Sequence, residues 1–167
     1  MPAVLTLVAD AVAELLTEAS HEFGLEFVAT RSYPPKDEPL AALNSLRVDV
    51  VPVNHDDSGI VDRGTGSTNY LCSVDIGIRK KFSRSERDSD TGQVEQAEMD
   101  RLIELVEQVH DYLTDVENRR LPRGTVGLDA TWENTRIRAA YMPRHYREWQ
   151  QFTGLIRVSY RARKHST

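Results

Sequence analysis

The sequence predicts an α+β fold: a mostly antiparallel five-stranded sheet with two helices packed on one face. Three observations predict it. Two stretches carry apolar residues at the three-and-four spacing of a helix, and five alternate with the period of a strand. The third is their order, α-β-β-β-α-β-β, in which consecutive strands joined by modest connections favour antiparallel pairing with the helices on the apolar side.

The first helix is expected over about Val4 to Phe23, where Leu5, Val8, Val12, Leu15, Leu16 and Ala19 share a face and Asp10, Glu14 and Glu18 lie opposite. Gly24 follows, suited to left-handed helix-terminating geometry. Leu25 to Tyr33 alternates as a strand through Leu25, Phe27 and Ala29 until Pro34-Pro35 stops it. Leu46 to Val53 is a second strand, followed by a polar loop over 54–67. The third strand has the clearest period: Tyr70, Cys72, Val74, Ile76 and Ile78 alternate with Leu71, Ser73, Asp75, Gly77 and Arg79. A polar arm or mobile loop is expected over 80–93, then a helix from about Val94 to Val116 with its stripe on Met99, Leu102, Val106, Val109, Leu113 and Val116. Thr131 to Met142 and Phe152 to Arg163 close the chain as strands, joined by a connection over 143–151. No repeat or linker divides the sequence, so 1–167 is expected to form a single domain.

Composition narrows the class. With 40% hydrophobic and 28% charged residues the chain is globular rather than disordered. The longest apolar stretches fall far short of a bilayer span, and the opening residues lack the basic region of a secretory signal, so no membrane association is expected. One cysteine, Cys72, cannot form an internal disulfide and suits a reducing cytoplasm. The net charge of −5 is unevenly spread: residues 1–117 hold 10 Lys/Arg against 23 Asp/Glu, and residues 118–167 hold 11 against 3. That asymmetry gives either ordinary solvated acidic helices or head-to-tail assembly, in which the basic surface of one copy meets the acidic surface of the next.

The residues do not assemble a catalytic pattern, and the protein is not expected to be an enzyme or to need a cofactor. Cys72 lies on the apolar side of its strand, His21 and His110 sit at helices beside acidic residues, and no G-x-S-x-G elbow occurs. Asn54, Asp56, Ser58 and Gly59 match the start of a calcium loop, but its twelfth position is Thr65 instead of a bidentate glutamate. No metal site is assigned. Gly64-Thr65-Gly66-Ser67 leads into a strand, whereas phosphate loops lead into a helix. The basic last fifty residues include Tyr146, Trp149 and Tyr160, but a pI of about 5.5 opposes an independent nucleic-acid binder. On the sheet face away from the helices, Arg47, Arg79, Arg136, Arg138, Arg157 and Arg161 form a candidate contact surface.

In its opening helix, its strands at Leu46–Val53 and Tyr70–Ile78, its polar arm Lys80–Gln93, its helix Val94–Val116 and its closing strand pair, the chain resembles the tail terminator or tail completion proteins of long-tailed bacteriophages and related minor tail and neck proteins. The resemblance implies a homo-oligomeric ring, commonly of six copies, located in the virion after assembly in the host cytoplasm. Such a ring caps the tail tube, meets the tail tube protein and the head–tail connector, and touches passing DNA only incidentally. Candidate interface residues are Lys80, Lys81, Arg84 and Arg87 in the arm and Arg136 and Arg138 on the sheet. Three alternatives stand beside it: another neck component such as a connector or stopper, a cellular ligand-binding domain, and an enzyme using His55, Asp56 and Asp57 around a metal.

Overall fold

The computed structural model describes residues 3–33, 45–61, 68–122 and 127–164. It shows an α+β fold with the order α1 (Val4–Ala19), β1 (Ala29–Arg31), β2 (Arg47–Val61), β3 (Thr68–Lys81), α2 (Gln96–Thr114), β4 (Leu128–Ala139), α3 (Pro143–Trp149) and β5 (Gln151–Lys164). The five strands form one sheet in the order β1-β2-β3-β5-β4.

Two features of the expected fold are corrected. The sheet is mixed rather than mostly antiparallel, because β1 runs parallel to β2 while the other three pairings are antiparallel. A parallel neighbour needs a crossover of roughly a dozen residues or more, and 32–46 supplies that length. The described residues also hold three α-helices instead of two, in the order α-β-β-β-α-β-α-β. The added helix, α3, occupies the expected connection over 143–151. Pro143 starts it, where a fixed φ and a missing N–H cost nothing, and Gln150 ends it in a left-handed conformation at φ 51°.

The two polar segments also differ from expectation. β2 continues through Asn54 to Val61, with Asn54, His55, Asp56 and Asp57 opposite Ser73, Cys72, Leu71 and Tyr70 of β3. Register shifts at Pro52/Asn54 and Asp57/Val61 absorb the residues that break the alternation. The rest of the expected loop, 62–67, lies outside the described residues. In the arm, Lys80 and Lys81 complete β3, Phe82 is buried, and Arg87 bridges back to Val94. The expected first strand shortens to Ala29–Arg31, held to α1 where the Ala29 N–H donates to Thr17 Oγ1 at 2.9 Å.

One apolar cluster lies between the sheet and the helices. Val48 and Val50 of β2, Cys72, Val74, Ile76 and Ile78 of β3, and Phe152, Ile156, Val158 and Tyr160 of β5 are fully buried against it. Val8, Val12 and Leu16 of α1 and Leu105, Val106, Val109 and Leu113 of α2 supply the opposing layer. α1 packs mainly over β1 and β2, and α2 over β4 and β5. The layers approach so closely at Gly154 that a Cβ there would collide with the Val106 side chain.

Candidate functional site

The outer face of the sheet carries Arg47, Arg79, Arg136, Arg157 and Arg161, with Arg138 in the register shift that follows Ile137, and the structure sorts them by partner. Asp49 is buried and accepts from Arg79, from Arg47 Nε at 3.1 Å and from Ser32 Oγ at 2.9 Å. Burial pushes the Asp49 carboxyl pKa up, but the hydrogen bonds from Arg79, Ser32 and Arg47 outweigh it and hold it below the ordinary value. Arg157 grips Asp75 with two bonds of 2.7 and 2.9 Å, the fork geometry that makes arginine pairing strong. Arg161 pairs in the same way with Glu133 at 2.8 and 3.1 Å. Asp129 accepts from Arg120 at 3.1 Å and from Arg163 at 3.3 Å. Arg136 and Arg138, exposed on the edge strand β4, have no ion-pair partner among the described residues.

The partner carboxylates were not picked out from the sequence. Asp49 and Asp75 are visible in it only as polar positions of alternating strands. Register across three strands sets Asp75 opposite Arg157 and Arg47 opposite Arg79.

The arm candidates divide similarly. Lys80 Nζ lies 3.2 Å from Glu86 and over the Phe82 ring at 5.6 Å, and Arg87 Nε donates to the Ser83 carbonyl at 3.3 Å. The Ser83 N–H bonds Glu86 at 2.8 Å, and this bond chiefly lowers the Glu86 pKa. Asp88 accepts from the N–H groups of Asp90 and Thr91, the turn chemistry expected of that run. Lys80 and Arg87 are therefore engaged within the arm. Lys81, half-buried, and Arg84, exposed, have no charge partner among the described residues. A cavity of about 410 Å³ opens beside the arm, between Lys80, Phe82, Glu86 and Arg87 and the start of α2 at Glu95 and Glu98.

Beyond β4 the chain turns into α3 and builds a corner that the sequence did not reveal. His145 Nδ1 lies 2.9 Å from Thr153 Oγ1, and its ring packs 4.3 Å from that of Trp149. Burial, reinforced by Arg144 and opposed by Glu148, lowers the His145 pKa and favours the neutral ring. Arg144 pairs with Glu148 at 3.0 Å, while Arg147 is exposed without a partner among the described residues. Trp149 and Tyr141 remain 51% and 38% exposed beside these arginines.

Cys72 is buried, and its thiol is pushed up to about 11, as a core side chain's would be. His55, Asp56 and Asp57 fall on β2, so the first part of the calcium-like segment is extended strand rather than a curled loop. No group of three or more His, Cys, Asp or Glu residues among those described is arranged to hold a metal. No described helix is long and apolar enough to cross a membrane. Fold and surface together define a mixed-sheet α+β protein with one face covered by helices and a basic corner at one edge. No family model and no curated protein matches the chain.

Proposed function

We propose that this chain is a structural virion protein, a tail terminator or tail completion ring subunit that caps the tail tube and joins it to the head connector. One observation carries the proposal. The charges of the outer sheet face are matched within the chain, whereas Arg136 and Arg138 on its edge strand are exposed and unmatched among the described residues. Internally matched charges add little attraction for another molecule, and free exposed arginines at an edge are available to bind one. The element order of the sequence supports the same reading, as does a fold that packs its interior tightly. In this reading the arginine patch of each subunit meets a different surface of its neighbour, a heterologous contact that closes a ring, commonly of six copies.

The test is the mass of the purified chain in solution, with images of the particles. A closed ring that binds tail tube protein supports the reading. A monomer at every concentration ends it. A ring that binds only head connector components would assign the chain instead to a connector or stopper position in the neck. Within the ring reading, Lys81→Glu with Arg84→Glu is expected to leave the circular dichroism unchanged and weaken assembly or tube binding.

A ligand-binding domain has one favourable observation, the cavity beside the arm. Its walls are largely charged, and it lies at the end of the sheet rather than between the sheet and the helices. The latter is where a helix-covered sheet would hold a small molecule, and there Gly154 and Val106 already touch closely.

A further inference from the structure

The sequence asymmetry acquires a direction in the fold. β1 and β4 are the two edges of the sheet, and α1 packs most extensively on β1 and β2 while also reaching β5 and β4. The outer row of α1 displays Asp10, Glu14 and Glu18, with Glu22 in the turn that follows; among the described residues only Asp10 of these is ion-paired, to Arg31 of β1 at 2.7 Å, and Glu18 and Glu22 lie near Tyr112 of α2. At the opposite edge stand Arg136, Arg138 and, on α3, Arg147. Exposed apolar side chains flank the same two places. Val28 and Tyr33 bracket β1 at 71% and 65% exposure, while Tyr141 and Trp149 bracket α3. Arginine and aromatic anchors beside complementary charge are the composition of an association surface.

We infer that these two edges are the two halves of one head-to-tail contact. The β4–α3 corner of each copy docks on the α1–β1 edge of a second copy. The inference rests on the ring reading and specifies its interface. A heterologous contact closes into a ring only if its halves lie on different sides of the subunit, and opposite sheet edges meet that condition. α2 is also acidic on its outer side, through Glu104, Glu107 and Asp111, but it packs behind β4 and β5, on the side of the arginine corner itself. The contact is made by side chains. β4 carries register shifts at Trp132/Asn134 and Ile137/Ala139, and bulges with edge arginines discourage strand-to-strand pairing.

The experiment is a charge swap read by native mass in the full chain. Arg136→Glu with Arg138→Glu, and separately Glu14→Lys with Glu18→Lys, should each leave the circular dichroism unchanged and weaken association about tenfold or more. Mixing the two variants should restore assembly as alternating copies, since every junction then joins opposite charges. Glu104→Lys with Glu107→Lys should leave assembly unaltered. If wild type forms rings and the edge variants form them equally well, or the mixture fails to recover, the inference is overturned and the ring reading stands. If α2 reversal alone disrupts the ring, the acidic half has been misplaced and the inference is likewise overturned. A wild type that never associates removes both.

Discussion

The two faces of this sheet solve one problem by different means. On the covered face, stability comes from shape: Val74, Ile76, Ile156 and Val158 are completely buried against α1 and α2. On the outer face it comes from matching: Asp49 collects Arg79, Arg47 and Ser32, Asp75 holds Arg157, and Glu133 holds Arg161. Packing is decided by volume and shape, whereas matching leaves visible whichever charge has no counterpart. That is why Arg136 and Arg138 stand out among the charges of the outer face.

The comparison breaks most sharply at Asp49, which is buried like a core residue yet belongs to the matched face. Replacing it by alanine removes the buried carboxylate that Arg79, Arg47 and Ser32 share. Loss of one partner from such a pair is expected to cost about 3 kcal/mol, as much as truncating a core leucine. Urea unfolding of Asp49→Ala measures it, and a cost near zero would mean that the outer face is not held by its charges. The pH dependence has a definite sign. The folded pKa of Asp49 is depressed below its ordinary 3.8, so its contribution is full above that value and is lost as pH falls through the folded one. The variant and the wild type should therefore converge in stability toward strongly acid pH.

Gly154 tests the covered face. Its Cβ-free position faces Val106, a β-branched side chain on α2 with little rotamer freedom to retreat. Gly154→Ala is expected to cost about 2 kcal/mol by overpacking, where alanine in an ordinary strand would help rather than harm. Thermal melting decides it, and an unchanged or higher midpoint would show that α2 can lift from the sheet without penalty.

How far the sequence foretold these faces follows the physics of each. Strict alternation in Cys72, Val74, Ile76 and Ile78 depends only on local period, and all four are buried in β3. The stripe of α2 was equally visible at Leu102, Val106, Val109 and Leu113, whereas Val116 lies past the helix end and is 73% exposed. The parallel pairing of β1 depends on where a long connection returns the chain, which periodicity does not encode. α3 was hidden because a seven-residue helix of mostly polar side chains has no apolar stripe to detect. The Arg136 and Arg138 positions were legible, but their distinction from Arg157 and Arg161 was not, because pairing depends on cross-strand register. Of the two exposed anchors, Trp149 was legible as an aromatic within the basic C-terminal part, whereas Tyr141 carried no signal apart from its proximity to arginines.

The smallest expected effect has the opposite sign and sits where, among the described residues, the covered face adopts the other face's chemistry without completing it. Tyr160 lies in β5 between Cys72 of β3 and Trp132 of β4, fully buried, and its hydroxyl has no hydrogen-bond partner among the described residues. Burial raises its pKa and so favours the neutral phenol. A buried hydroxyl that forms no hydrogen bond loses its hydration without return, at a cost of roughly 1–3 kcal/mol. Phenylalanine keeps the ring and removes that oxygen, so Tyr160→Phe is expected to raise stability by about 1 kcal/mol after the small void left behind is counted. A rise in the unfolding midpoint at constant urea dependence would show that shape alone serves this face. A fall of similar size would mean that the hydroxyl is bonded in solution and that the covered face, too, relies on a polar match at its centre.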